Sequence, residues 1–147
     1  MRPDDELALG RLLCEYAACV DGRDHDGLRA LFTADATLTV YSGERLLEEH
    51  SRPDGILAIF EALDGFVTLH EVAGHRFDPG PAAAGKGDEA HGEAVCIAHH
   101  VKGAEDLVVY GRYRDRYRRT AEGWRFLARR LDINWTERRA VRLPGRA

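Results

Sequence analysis

The sequence predicts an α+β fold, with helices gathered in the N-terminal half and packed on one face of an antiparallel sheet. Two observations predict it. Apolar residues recur at helical spacing only as far as Leu63, and from Phe66 onward the period shortens to that of strands joined by glycine-containing turns. Helices followed by a run of hairpin-linked strands form the pattern in which helices segregate to one side of a sheet. No internal repeat and no linker interrupts the chain, so residues 1–147 are expected to form one domain.

The first helix carries Leu9, Leu12, Leu13, Tyr16, Ala17 and Val20 on one face. Asp21 follows at its C-terminal end, where the negative end of the helix dipole disfavours a carboxylate. Gly22 suits the left-handed residue that closes a helix, and Asp24 can cap a second helix running through Leu28 and Phe32. ATLTVY (Ala36 to Tyr41) reads as a strand, and SGERLLEEH as a turn followed by a segment of open assignment. Ser51 and Pro53 open a third helix, with Ile56, Leu57, Ile59, Phe60 and Leu63 on its apolar side and Gly65 beyond its end. Residues 66–77, 89–102, 106–120 and 124–135 are the strand segments. A surface connection spans Asp78 to Asp88, and hairpin ends fall at Gly103 and at Ala121-Glu122-Gly123.

Composition narrows the function classes. The chain has 147 residues, 44% hydrophobic and 31% charged, which suits a soluble globular protein of one core. No stretch approaches a membrane span, and the acidic start MRPDDELALG lacks the pattern of a signal peptide. Cys14, Cys19 and Cys96 have no metal-type spacing and read as reduced thiols of a cytoplasmic protein. The net charge of −4 is uneven: residues 112–147 hold twelve Arg against four acids, +8, which leaves −12 for the remainder. These Arg interrupt a strand pattern instead of forming a basic block. Pairing with the acidic half or with a second subunit explains them better than nucleic acid.

The strand faces single out candidate site residues. Positions 90, 92, 94, 96, 98 and 100 read Ala, Gly, Ala, Cys, Ala, His, a face of small residues that leaves space for helix side chains or a ligand and ends at His100. Thr68, His70, Val72 and Gly74 share a face of the preceding strand. Arg112, Arg114, Arg116 and Arg118 line one face of the next, so Tyr113 and Asp115 lie on the other, where an inward acid needs a partner or a chemical task. Each residue also has a plain structural role open to it. Asp21 could cap the turn into the second helix, His70 and His100 could be hydrogen-bonded core residues, Asp115 could pair with Arg130, and Tyr16, Tyr41 and Tyr113 could be core with a satisfied hydroxyl. Gathered at one cavity, the same residues suit proton transfer at neutral pH, because a carboxylate can orient a histidine that titrates there.

YAACVDGRDHDGLRALFTADATL, TLHEVAGH, GEAVCIAHH, YGRYRDRYRRTAEGWRF and LDINWTE, in this order, resemble the SnoaL-like branch of the nuclear-transport-factor-2-like superfamily, which includes scytalone dehydratase, limonene epoxide hydrolase and polyketide cyclases. The resemblance implies a cone-like barrel, a strongly curved mixed sheet closed by three N-terminal helices around one deep pocket. Scytalone dehydratase is the most similar pattern. It implies catalytic roles for Asp21 before RDHD, His70 in TLH and His100 at the end of the next strand, with neighbouring His99 the alternative to His100. Val20 stands where that enzyme has a tyrosine, so Tyr16 or Tyr41 would supply the substrate-polarising hydroxyl. Tyr113, Asp115 and Trp135 complete the expected substrate-binding set. The Asp-Arg-Asp group of limonene epoxide hydrolase has no evident counterpart.

Together these readings predict a cofactor-free lyase, a dehydratase, or an isomerase acting on a hydrophobic, oxygenated small molecule of the kind met in secondary metabolism. A polyketide-type cyclase or epoxide hydrolase, and a non-catalytic small-molecule binding protein, are the alternatives. No metal ligand set is expected, and no nucleic-acid or membrane partner. The resemblance implies a homodimer or higher homo-oligomer.

Overall fold

The computed structural model describes residues 1–80 and 88–145. Helix α1 runs Pro3–Asp21, with proline in its first turn beside Asp4, Asp5 and Glu6, where acids complement the helix dipole. It buries Leu9, Leu12, Leu13, Tyr16 and Val20, the face its spacing predicts. Gly22 stays right-handed at φ −83°, and Arg23 takes the left-handed position at φ 56° instead. Asp24 caps the six-residue α2, His25–Ala30, by accepting from the Gly27 amide at 2.9 Å. Phe32 lies beyond this helix and begins strand β1, Phe32–Ser42.

The open segment after β1 is a strand, β2 (Arg45–Ser51), which forms a hairpin with β1. Its charged, exposed sequence is typical of an edge strand and hides the alternation that marks strands elsewhere. Helix α3, Arg52–Glu61, therefore follows two strands. Strands β3 (Val67–Pro79), β4 (Glu89–Lys102), β5 (Glu105–Thr120) and β6 (Gly123–Ala140) form the antiparallel meander, the last five residues longer than its sequence pattern suggests. Most of the predicted Asp78–Asp88 connection lies outside the described residues.

The strand order is β2-β1-β6-β5-β4-β3, with β1 parallel to β6 and every other pair antiparallel. The sheet is mixed, as the resemblance implies and unlike the antiparallel sheet read from the strand pattern, and it is not a closed barrel: β2 and β3 are open edges. Helix α1 packs on β3, and α3 packs on β1 and β2, so helices cover one sheet face in place of strand pairing across the edges. Between them lies a core of Leu9, Leu13, Tyr16, Leu28, Ile56, Phe60, Tyr117 and Phe126.

Bulges decide which side chains face the helices. Asn134 is the extra residue of the β5–β6 pair, because Tyr110 pairs with Trp135 and Gly111 with Ile133. Gly111 has no room for a Cβ against the Asp132 carbonyl, so the close approach at this bulge requires glycine. A second bulge lies beside Leu127, where Tyr117 pairs with Phe126 and Arg116 with Ala128. A third falls between Val40 and Tyr41 in β1–β2.

Candidate active site

The face of small residues read from β4 lines a cavity of about 450 Å³. Ala98, Cys96 and His100 contribute from β4, His70 from β3, Val109 and Tyr113 from β5, and Ala58, Ile59, Ala62 and Leu63 from α3 and its C-terminal turn. The lining is mostly apolar with a few converging polar groups, the usual composition of a small-molecule site.

Asp21 projects from the last residue of α1 onto β3. Its Oδ1 lies 2.7 Å from His70 Nδ1 and accepts from the Thr68 hydroxyl at 3.0 Å, while its Oδ2 accepts from the His70 amide at 2.9 Å. Three bonds to one neighbouring strand explain why a carboxylate stands at a helix end that would otherwise repel it. Arg23, left-handed just beyond, donates to the carbonyls of Val20, Leu63 and Phe66 and to Thr68 Oγ1 at 3.0 Å. The Thr68 oxygen thus accepts from Arg23, and its single hydrogen is committed to Asp21.

The network assigns His70 the tautomer with Nδ1–H, leaving Nε2 as an acceptor. His70 lines the cavity with its side chain 6% exposed, and Asp21 stands behind it. Burial lowers the His70 pKa, and the hydrogen bond that Nδ1–H donates to Asp21 opposes that shift without reversing it. His100 meets His70 edge to face at 5.8 Å between ring centres. Its Nδ1 lies 3.2 Å from the Leu107 carbonyl, which fixes the same tautomer, and burial lowers its pKa as well. His99 points to the opposite sheet face, bound to Asp106 at 2.8 Å, so His100 is the cavity histidine.

Of the expected tyrosines, Tyr16 and Tyr113 line the cavity and are almost wholly buried. Burial pushes the Tyr16 hydroxyl up to about 12 and Tyr113 well above its ordinary value, so both stay protonated. Three other expected substrate contacts lie elsewhere. Tyr41 follows inward Val40 and turns outward, under the Arg130 guanidinium at 3.9 Å. Trp135, displaced by the bulge at Asn134, is 61% exposed and stacks on Tyr110 across the outer face. Asp115 points inward but lies in the core instead of lining this cavity, and its partner is Arg129, not Arg130.

Arg129 is the residue the sequence reading missed. It is 1% exposed, and it binds Asp115 through Nε at 3.1 Å and Nη2 at 3.0 Å. Its guanidinium carbon lies 3.5 Å from the Tyr113 ring centre and 4.1 Å from that of Tyr16. Burial opposes its charge, but Asp115 together with the surrounding Tyr113, Tyr16 and Tyr117 holds the pKa above the ordinary value. Arg129 lines the cavity, and its Nη1 is a buried donor with no partner among the described residues. A signal existed: Ile133, Leu131 and Arg129 alternate, and the first two are plain inward residues.

An open mixed sheet with helices on one face, enclosing a mostly apolar cavity, defines a class of α+β proteins. Within that class the chain belongs to the SnoaL-like domain family, whose model matches residues 2–130, in the nuclear-transport-factor-2-like superfamily. No curated protein matches it in sequence. Among solved structures it is similar to a candidate aromatic ring hydroxylase from Novosphingobium aromaticivorans, at 25% identity over 96% of both chains with a TM-score of 0.78. A candidate scytalone dehydratase from the same organism is 25% identical over 99% of both chains, with a TM-score of 0.73. Hexachlorocyclohexane dehydrochlorinase LinA-type3 from Novosphingobium barchaimii shares the fold, at 19% identity over 95% of this chain and 90% of that one, with a TM-score of 0.71.

Proposed function

We propose that the protein is a cofactor-independent lyase or isomerase that removes a proton α to a carbonyl in a hydrophobic, oxygenated small molecule. The observation that carries this reading is the Asp21–His70 contact at 2.7 Å, which turns His70 Nε2 toward an apolar cavity as a base with a lowered pKa. Similarity to a candidate scytalone dehydratase supports the same chemistry.

His70 Nε2 takes the carbon-bound proton, and Asp21 stabilises the resulting imidazolium through Nδ1–H. Charge developing on the carbonyl oxygen is met by the free Nη1–H of Arg129, a fixed donor beside a mostly apolar lining. His100, neutral and already donating from Nδ1, has no proton to give at the outset. The proton on His70 is therefore the one available to the leaving hydroxyl, directly or relayed through His100. In dehydration the C–H and C–O bonds break, a C=C bond forms and water departs. In isomerisation the proton returns to carbon.

The test is α-proton exchange of 1-tetralone in D2O, followed by NMR, together with loss of water from a panel of β-hydroxy ketones. Catalysed exchange that disappears in His70→Ala is the expected result. Ketones that bind without exchange or turnover would overturn the reading and favour the non-catalytic binding protein.

A further inference from the structure

A second acid–histidine pair faces the same cavity from the opposite edge of the sheet. Glu48 and His50 alternate along β2 and both line the cavity, with His50 Nε2 3.2 Å from Glu48 Oε2. They lie on edge strand β2, whereas His70 lies on edge strand β3, the farthest strand in the order. In register, His50 stands opposite Leu38, and Leu38 opposite Arg129, so His50 and Arg129 flank Leu38 about 10 Å apart, two strand spacings. Glu48, Val40 and Leu131 form the neighbouring row. The cavity thus has a polar end at His70 and His100, a buried guanidinium in between, and a second polar end at Glu48 and His50, joined by aliphatic side chains.

Nothing in the proton-transfer mechanism uses this second pair. On an edge strand exposed along most of its length, His50 is partly buried against the cavity and the half-exposed Glu48 stands at its rim. In the tautomer that donates Nε2–H to Glu48, His50 offers Nδ1 as an acceptor, and Glu48 keeps acceptor capacity on its second oxygen. Both groups at this end accept, so the matching ligand group is a donor.

We propose that Glu48 and His50 form a specificity site for a hydroxyl on the part of the substrate remote from the reacting carbon. The substrate class is then a ring-sized ketone or hydroxy ketone with a second, distal alcohol or phenol. This proposal rests on reading the cavity as a substrate site, but not on the proton chemistry.

Two matched pairs of probes separate the two claims by calorimetry: 1-tetralone against 6-hydroxy-1-tetralone, and tetralin against 5,6,7,8-tetrahydro-2-naphthol. The phenolic hydroxyl should tighten binding about tenfold in at least one pair, as a hydrogen bond to a charged acceptor does. His50→Phe and Glu48→Gln should abolish that preference while leaving tetralin affinity within about twofold. Equal binding of both members of each pair to the unaltered protein, or a preference that survives both substitutions, overturns the specificity site. A carbonyl that adds nothing over tetralin counts against the proton-transfer reading and leaves the hydroxyl comparison intact.

Discussion

Two carboxylates on the helix-covered face each hold a basic partner, and the partners differ in one property. Asp115 grips Arg129 by a two-point contact in the core, and the guanidinium keeps its charge at any working pH. Asp21 grips His70 at the cavity wall, and the imidazole can gain and lose a proton there. The first pair is a fixed electrostatic element and the second a movable one. The contrast teaches what each pair should cost: disturbing Asp115 should cost the fold, and the reaction through Arg129, whereas disturbing Asp21 should cost the reaction alone.

The sharpest way to break this comparison is to delete each acid. Asp115→Ala leaves the Arg129 charge buried and unpaired, which should cost about 3–5 kcal/mol of unfolding free energy in a denaturant titration. Asp21→Asn should cost little, since a cavity-wall pair tuned for reaction is often neutral for stability or mildly costly. Equal losses would mean that both pairs are structural.

On the reaction the Asp21 pair should show its full effect. His70→Ala should lower turnover by about 10²–10⁴ once a substrate is in hand, the usual worth of general-base assistance. Asp21→Asn should fall in the same range, with the double substitution little worse than His70→Ala alone, because a dyad acts as one unit. Losses that multiply would return Asp21 to a purely structural role.

A smaller effect concerns pH. Burial lowers the pKa of both His70 and His100, so the folded protein binds fewer protons than the unfolded chain just below the ordinary histidine range. Stability should therefore be full above about pH 6.5 and decline as pH falls toward the lowered folded values, then level off as far as these groups are concerned. The low-pH limb of kcat/KM should follow the His70 value, below the ordinary one. Melting temperature and rate measured across pH 5–8 check both. Stability that rises on acidification through this window would contradict the burial of both rings.

The sequence made the first pair of histidines visible and concealed the arginine, for one physical reason. Asp21, His70 and His100 sit where helix period and strand alternation run unbroken, so parity alone puts both His on the small-residue face of β3 and β4. Arg129 and Trp135 sit beyond bulges at Leu127 and Asn134, and each bulge reverses parity. Counted forward from Phe126, Arg130 faces inward; counted back from Ile133, Arg129 does. The open edges escaped for a related reason, since β2 has no apolar alternation to betray it and nothing local says whether β2 and β3 meet. The α+β class and the helical segments survived because they rest on many residues each.

The finest test of the comparison is Thr68→Val, which preserves the shape of the strand residue and replaces its hydroxyl with a methyl, removing the donor to Asp21 and the acceptor for Arg23. Thr68 donates to the same Asp21 oxygen that faces His70 Nδ1, while Arg23 occupies the Thr68 oxygen from behind. Two donors share one acceptor atom, so each weakens the other. Without the hydroxyl, the Asp21 oxygen should bind the His70 Nδ1–H more strongly and favour the imidazolium. The His70 pKa should then rise, visible as a shift of its ring signals in an NMR titration, and the low-pH limb of activity should move up with it. Turnover should change by less than about tenfold, since one neutral hydrogen bond is worth about 1 kcal/mol net. The Asp115–Arg129 pair, held by its own bonds, is untouched, so unfolding free energy should fall only by the loss of the Thr68 hydroxyl's own bonds, about 1–2 kcal/mol. A fall in the His70 pKa would mean that Thr68 strengthens the dyad by holding the carboxylate in place instead of competing for it.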